Sequence, residues 1–440
     1  MKIAVFGGGI SGLTTAYYLS KKNHQVTIFE KEPAVGGLAG VFKQENWDWY
    51  LEKTIHHIFS NDTDVLNFAK EIGFDKIFFS KPETASLYSS SKFKVQSSKF
   101  QLKAQNYSIF PLDTPLDLIH FPLLGLVDKL RAGLVLAFLK LSPLLLLFES
   151  MTAEQLLIRF MGKKNWEVLW QELFRKKFGK YAGNILAIFI WARVKKRTSK
   201  LGYPKGGFQA LINHLENQLK NSRVNVLMNR EVKNITKTGE KFIVDNQEFD
   251  SVISTLPTPV LIETSRDIFQ AKYLNQLKKI KYLHSVSLVL ETDKPILKNT
   301  YWLNIITPNI PIMGLFQQTN FIDKKHYGEK NILYCGWYTA GDDKLWSMNK
   351  GEIIEYISSY IKKISNFPLP AGRQEFLISN SWLFKAKFAQ PIFDKEFLKN
   401  KPEMVTPVKN FFIANLDMTY PYDRGVNYAV KLGKKVAGLL

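Results

Sequence analysis

The chain has 440 residues, 45% of them hydrophobic and 22% charged, proportions typical of a folded globular protein that exclude wholesale disorder. Its single cysteine, Cys335, excludes a disulfide framework and a cluster of metal-binding thiolates, and we predict no metal site. The formal net charge of +21 favours an anionic partner, either a membrane surface or a phosphorylated substrate, because no nucleic-acid-binding motif is present; a merely solvated lysine-rich surface is the alternative.

The N-terminal residues predict a strand, a glycine turn, a helix and a second strand in direct succession. Gly7, Gly9 and Gly12 follow an apolar run with the G-x-G-x-x-G spacing, and a helical pattern continues over residues 13–20. Such glycines permit a tight turn and the close approach of a pyrophosphate. Glu30 ends the second strand, where it could accept hydrogen bonds from ribose hydroxyls and would repel the 2′-phosphate of NADP. We expect a dinucleotide site rather than a signal peptide here.

Further glycine-rich and strand-ending segments follow in an order that is specific for one group of proteins. They are Gly36-Gly37, Tyr-Pro-x-Gly-Gly at 203–207, Asp-x-Val-Ile-Ser-Thr-Leu-Pro at 250–257, the apolar run at 410–417 that ends in Asp417, and Asp-Arg-Gly-Val-Asn-Tyr-Ala-Val at 423–430. Together they resemble the two-dinucleotide-binding flavoproteins of the amine oxidase, protoporphyrinogen oxidase and phytoene desaturase superfamily. The last run resembles a bacterial branch of protoporphyrinogen-oxidase-like proteins.

This resemblance implies that FAD is the cofactor. In the family, the second glycine pair runs along the pyrophosphate, a valine segment meets the adenine, and the last strand and helix close on the flavin. Leu38 stands where many members carry arginine, and Asn415 replaces a usual glycine. The implied cofactor-binding residues are Gly7, Gly9, Ile10, Ser11, Gly12, Glu30, Lys31, Gly36, Gly37, Leu38, Val232, Asp417, Gly425, Val426 and Asn427.

Two adjacent histidines lie in an aromatic segment after the glycine turns. If His56 and His57 lie on a strand they point to opposite faces, so at most one faces the flavin. That histidine could donate a hydrogen bond or move a proton; the alternative is a pair with a structural role. With Arg424 they are the candidate catalytic residues. His57-Ile58-Phe59 also resembles a flavin-proximal segment of UDP-galactopyranose mutases, a redox-neutral branch of the fold.

The middle of the chain changes character. We expect short antiparallel strands near 87–88, 93–95 and 100–102, and then the very apolar segment 116–148. Its prolines and charges leave no run long enough to span a bilayer. Two alternatives stay open: a buried helical cap over the substrate, or a patch that dips into one leaflet of a membrane. Thr152 is the predicted start of the next helix.

These features predict an α/β protein in which a Rossmann-like FAD-binding domain is joined to a second, α+β substrate domain. The FAD-binding domain is expected to comprise 1–83, 200–259 and 404–440, and the substrate domain 84–199 and 260–403.

The expected function is transfer of a hydride from an apolar or anionic organic substrate to flavin N5, with reoxidation by oxygen or a quinone. The alternatives are a redox-neutral nucleotide-sugar mutase and a non-catalytic flavin- or lipid-binding protein. We expect a small-molecule substrate and a cytoplasmic protein, either free or on the inner face of the cell membrane. The oligomeric state stays open.

Overall fold

The computed structural model describes residues 1–89, 102–104, 107–364 and 377–440. The predicted strand at 93–95 lies outside these ranges. The strands are, in chain order, β1 (Lys2–Phe6), β2 (Gln25–Phe29), β3 (Val41–Phe42), β4 (Leu51–Glu52), β5 (Ile58–Phe59), β6 (Ile77–Ser80), β7 (Glu83–Ser89), β8 (Leu102–Ala104), β9 (Tyr107–Pro111), β10 (Leu201–Pro204), β11 (Val224–Leu227), β12 (Thr236–Thr238), β13 (Lys241–Val244), β14 (Gln247–Phe249), β15 (Ser251–Ser254), β16 (Tyr282–Thr292), β17 (Thr300–Ile305), β18 (Gly314–Gln317), β19 (Asn331–Thr339), β20 (Ile378–Pro391) and β21 (Phe411–Ile413).

The α-helices are α1 (Ile10–Lys21), α2 (Thr63–Glu71), α3 (Pro115–His120), α4 (Leu126–Leu141), α5 (Leu145–Ser150), α6 (Ala153–Leu156), α7 (Lys163–Asn165), α8 (Gln171–Phe178), α9 (Ala187–Lys196), α10 (Phe208–Lys220), α11 (Thr258–Thr264), α12 (Ala271–Leu277), α13 (Lys344–Ser347), α14 (Lys350–Ile364), α15 (Lys395–Asn400) and α16 (Val426–Ala437). Segments Leu157–Met161 and Trp166–Trp170 are π-helical.

The N-terminal strands form a parallel sheet with the order β11-β2-β1-β15-β21. Residues of β1 alternate between two cores. Ile3 and Val5 pack in the core that contains α1, α10 and α16, whereas Ala4 and Phe6 share the opposite core with the antiparallel meander β12-β13-β14. Covering both faces explains why the central strands are almost continuously apolar. Because the strands are parallel, the loops after β1, β15 and β21 meet at one edge of the sheet.

A second, mixed sheet has the order β20-β16-β19-β18-β17-β7-β9-β8. Its β17–β7 pair is parallel and the other described pairs are antiparallel. Isoleucines of α14 pack against one face, in the same core as the buried Cys335. Strands from two distant parts of the sequence thus join in one sheet.

Helices α3–α9 form a separate layer that holds the apolar segment 116–148. Thr152 caps α6 with a hydrogen bond from the backbone of Gln155, as predicted from the sequence. Among the described helices, none is both long and apolar enough to cross a bilayer.

The predicted fold class is confirmed, with a parallel nucleotide-type sheet and a second α+β part. Strands of the parallel sheet come from the three predicted pieces of sequence. The exact domain boundaries stay a prediction.

Candidate functional site

The first glycine turn is shaped by close contacts between backbone atoms. Gly7 has a φ of 95°, in the region that favours glycine, and its N–H donates to the Phe29 carbonyl at 2.9 Å. A Cβ on Gly12 would lie 1.9 Å from the Gly7 carbonyl oxygen, so no side chain fits where α1 begins. By contrast, a Cβ on Gly9 would meet only the Gly37 Cα, at 3.8 Å.

The second glycine pair lies directly against the first turn. Gly36 N–H donates to the Gly8 carbonyl at 2.9 Å, and Gly36 and Gly37 both have positive φ. A Cβ on Gly37 would lie 3.1 Å from the Gly9 Cα. The two segments therefore make a surface of bare backbone at the N-terminus of α1, where N–H groups and the helix dipole favour an anion.

Glu30 lies beside this surface and is buried. Its carboxylate accepts from Gly8 N–H at 2.7 Å and from Glu32 N–H at 2.9 Å. Beyond it, Val232 and Phe29 line a groove of about 520 Å³ next to the end of β2. Among the other predicted residues of this region, Lys31 extends into solvent beside Glu32, and Leu38 is partly exposed.

The segment that follows β21 contacts the first glycine turn from the other side. Ser11 donates its hydroxyl to the Ala414 carbonyl at 2.9 Å. Asp417 Oδ2 accepts from Thr258 and Tyr282, each at 2.5 Å, while its buried Oδ1 has no partner in the described structure. Burial raises the pKa of Asp417 to about 6.

Gly425 precedes α16 and Val426 is its first residue. The Asn427 side chain, however, faces α2. Its Oδ1 accepts from Val65 N–H at 3.0 Å and its Nδ2 donates to Asp64 at 3.2 Å. The side chain of Asn427 thus joins two helices, and only its backbone is left to take part in cofactor binding.

His56 and His57 do not lie on a strand, because β5 begins at Ile58. Both lie in the preceding loop and are partly exposed. His56 Nδ1 lies 2.8 Å from the Thr54 carbonyl, and His57 Nδ1 lies 3.5 Å from the Tyr301 hydroxyl. Burial, with Arg424 nearby, lowers the pKa of His56 to about 4. Burial, with His56 and two arginines nearby, lowers that of His57 to about 3, so both are neutral at pH 7.

A group of cations surrounds Asp423. The Asp423 carboxylate accepts from Lys177 Nζ at 2.8 Å and Arg193 Nη1 at 3.0 Å, and also from the Arg424 backbone N–H at 3.0 Å. Arg424 donates its guanidinium to the Ala389 carbonyl at 2.6 Å and to the Tyr338 hydroxyl. We call Lys177, Arg193, Asp423 and Arg424 the cation cluster.

Each member of the cation cluster is partly exposed, so the cluster lies at the edge of the core rather than within it. Burial alone would raise the pKa of Asp423, but the charges of Lys177, Arg193 and Arg424 hold it well below its usual range. Burial lowers the pKa of Lys177, an effect that Asp423 opposes. Positive charge is in excess here, because the two guanidinium groups alone outnumber the one carboxylate, and Lys177 adds a further charge when it is protonated.

The sequence did not reveal this cluster as a unit, because its members come from positions 177, 193 and 423–424. It also missed Glu52, which is fully buried and accepts from Tyr203 at 2.7 Å and Phe208 N–H at 2.9 Å. Burial raises the pKa of Glu52 to about 7. Within the described ranges, no three His, Cys, Asp or Glu side chains form a group suited to a metal ion.

A sequence family described as flavin containing amine oxidoreductase matches residues 10–440. The chain belongs to this family. An uncharacterized protein of Methanocaldococcus jannaschii is 28% identical over 344 residues, which are 77% of this chain and 76% of that protein. The family is thus shown by a match over nearly the whole chain, in agreement with the resemblance noted in the sequence.

Solved structures show the same fold at low sequence identity. An oxidoreductase from Methanosarcina mazei has a TM-score of 0.72 at 17% identity and covers 99% of each chain. Putrescine oxidase bound to putrescine has a TM-score of 0.69 at 16% identity, with coverage of 100% of this chain and 98% of that one. Reduced UDP-galactopyranose mutase has a TM-score of 0.71 at 16% identity, with coverage of 100% and 96%. An oxidase and a mutase match about equally, so the fold alone does not separate them.

The residues present fit the FAD that this amine oxidoreductase family binds. The bare backbone at Gly9 and Gly37 leaves space that a Cβ would otherwise fill, the N-terminus of α1 suits a pyrophosphate, and the unpartnered Oδ1 of Asp417 can accept a hydrogen bond from a hydroxyl group. The protein is a FAD-dependent oxidoreductase of this family.

Proposed function

We propose that this flavoprotein oxidises an organic substrate that carries an anionic group, and that the cation cluster binds this group. Bound FAD supplies the two-electron chemistry, accepting a hydride from a substrate carbon, and oxygen or a quinone takes up the electrons. The observation that carries the proposal is the excess of positive charge beside the two histidines.

The cation cluster is connected to the histidines through its electric field. Arg424 lowers the pKa of His56, and Arg193 and Arg197 lower that of His57. Arg197 itself donates to Asp113 at 2.6 Å. Asp423 and Asp113 therefore leave part of this positive charge uncompensated, and an anionic substrate group would neutralise it.

The same charge argues against a cationic amine as substrate. A protonated amine 5 Å from one guanidinium would be repelled by about 3 kcal/mol at an effective dielectric constant of 20. Membership of a family described as amine oxidoreductases does not decide the substrate, because related sites on one fold act on different compounds.

The protein's own residues then have separate tasks. Arg193 and Arg424 would orient the anion, while the neutral imidazole of His57, near the Tyr301 hydroxyl, would exchange hydrogen bonds at the reacting end. With a pKa of about 3, His57 is a poor base at pH 7 and so serves as a hydrogen-bonding group.

A redox-neutral mutase is the second candidate, because a nucleotide-sugar diphosphate is also an anion. The match to UDP-galactopyranose mutase and the His57-Ile58-Phe59 segment favour it. The two candidates differ in one respect: an oxidation leaves the flavin reduced in the absence of an acceptor, whereas a mutase returns it unchanged.

The test is an anaerobic screen of the holoprotein with pairs of compounds that share a skeleton and differ in carrying a carboxylate, a phosphate or an amine. We expect bleaching of the flavin absorbance near its visible maximum by anionic members. Arg193→Gln should weaken this response, and Arg175→Gln, which changes an arginine that pairs with Glu172 at the surface, should not. Bleaching by amines alone would overturn the proposal, and product formation without net reduction would favour the mutase.

A further inference from the structure

A large apolar surface lies on helices α3–α5. On α4, Leu126, Leu130, Leu134, Phe138 and Leu141 recur at helical spacing and are all exposed, Leu126 to 85% and Leu141 to 78%. We call these five side chains the leucine face. Leu144, Leu145 and Leu146 extend it into α5, and Leu116 and Ile119 of α3 are exposed as well.

The opposite side of α4 is already used for packing. Ala132 and Leu139 are fully buried, and α4 and α5 pack against α9, where Trp191 donates to the Ser142 carbonyl at 2.9 Å. A helix that is apolar on its packed side and again on its exposed side is not a normal solvated surface helix. The leucine face therefore requires a partner that is absent from a lone chain in water.

The charges around the leucine face select the kind of partner. Arg131 flanks it on α4, whereas Lys140 donates its ammonium to backbone carbonyls near the end of α9 and Asp128 pairs with Lys164 at 3.4 Å. In the adjoining π-helical segment, Arg159 lies between exposed Ile158 and Phe160. Leucines edged by basic side chains suit a bilayer with anionic headgroups. They do not suit a second copy of the chain, because self-association would bring two positive rims together.

We infer that α3–α5 dock on the surface of an anionic lipid bilayer, with the leucine face inserted among the acyl chains and Arg131 and Arg159 at the headgroups. The inserted depth is that of one helix, which agrees with the finding that none of the described helices could cross a bilayer. This inference does not depend on the proposed substrate.

Flotation of the flavin-loaded protein with phosphatidylcholine vesicles, with and without phosphatidylglycerol, tests the inference. We expect the protein to float with the anionic vesicles and much less with neutral ones. Leu130→Glu combined with Leu134→Glu should reduce the bound fraction about tenfold or more. Leu377→Glu combined with Val405→Glu adds the same charge at exposed apolar positions elsewhere and should float like the wild type.

Flavin content and circular dichroism of both double variants show whether they fold. Arg131→Gln combined with Arg159→Gln leaves the leucines in place and should abolish the preference for anionic vesicles. The inference is overturned if the wild type does not float, or if the two glutamate pairs reduce flotation equally. It is also overturned if the leucine face instead holds a dimer that Leu130→Glu with Leu134→Glu separates without any binding to vesicles.

Discussion

Replacing Asp423 by asparagine tests the cation cluster most sharply. The variant keeps the shape of the side chain but removes the charge that faces Lys177 Nζ at 2.8 Å and Arg193 Nη1 at 3.0 Å. Removing one partner of a buried ion pair typically costs about 3–5 kcal/mol. The side chains of Lys177, Arg193 and Asp423 are 13%, 35% and 24% exposed, respectively. Water therefore screens their charges and reduces this cost. We therefore expect a loss of about 2–3 kcal/mol in the free energy of unfolding.

The pH dependence of this loss follows from the lowered pKa of Asp423. A carboxyl whose pKa falls on folding stabilises the fold above its unfolded pKa, and that contribution disappears only as the pH falls through the lower, folded value. Burial lowers the pKa of Lys177 to about 7 and Asp423 opposes that shift, so the pKa of Lys177 should fall further in Asp423→Asn. The difference between wild type and variant should thus grow as the pH falls from about 8 to about 5, because protonating Lys177 costs more without the carboxylate.

Urea unfolding of the holoproteins, followed by tryptophan fluorescence, measures the loss. Asp342→Asn is the matched control, because Asp342 pairs with Lys180 at 2.9 Å at the exposed surface and its neutralisation should leave the midpoint unchanged. Added sulfate should raise the apparent melting temperature of Asp423→Asn more than that of the wild type, since the variant lacks the carboxylate that offsets the two guanidinium groups. Equal stability of Asp423→Asn and wild type, together with equal responses to sulfate, would refute the assigned charge balance.

Three further changes test other parts of the site. Gly12→Ala should yield protein with little bound flavin, because its Cβ would overlap the Gly7 carbonyl oxygen. The flavin absorbance per polypeptide measures this loss. Glu52→Gln should gain stability over the wild type as the pH rises from 4.5, the ordinary pKa of a glutamate, to about 7, the raised pKa of Glu52. Because folding raises the pKa of this carboxyl, its contribution to the stability of the wild type is present at low pH and is lost as the pH rises. The relative gain of the variant in the free energy of unfolding should reach about 3 kcal/mol at most, as measured by urea unfolding. His57→Ala should slow reduction of the flavin by substrate more than it lowers flavin content, as anaerobic stopped-flow absorbance would show.

The controls for these changes lie in the same chain. Gly133→Ala places a Cβ in open space within a helix and should retain full flavin content. His120→Ala changes an exposed histidine and should leave the reduction rate as it is. Normal flavin content in Gly12→Ala, a parallel pH profile in Glu52→Gln, or wild-type reduction by His57→Ala would each contradict the corresponding role.

The cofactor part of the site was predictable from the sequence because its signals are local. Gly7, Gly9 and Gly12 need a fixed spacing, and Gly36-Gly37 follows within one loop, so short stretches of sequence specify the turn. The strands that end at Glu30 and near Asp417 are apolar runs bounded by polar residues, which marks them as buried parallel strands. The structure places these segments at one edge of the sheet.

Other features depended on tertiary contacts that no local pattern encodes. The sequence around Arg193 gave no reason to prefer a substrate role over a surface role, and its contact with Asp423 exists only in the folded chain. Asn427 lies in the expected helix start, but its amide is taken up by α2. The sequence of segment 116–148 left open a buried cap and a membrane-contacting patch, and the fold buries one side of α4 while leaving the leucine face exposed.

The proposed net oxidation of an anionic substrate is tested by the visible spectrum of the bound flavin. The spectrum is recorded during anaerobic titration with matched anionic and amine compounds and again after admission of oxygen or a quinone. We expect that the anionic compounds bleach the flavin and that the acceptor restores its colour. Bleaching confined to amines, or turnover of an anionic compound with no loss of colour, would contradict it.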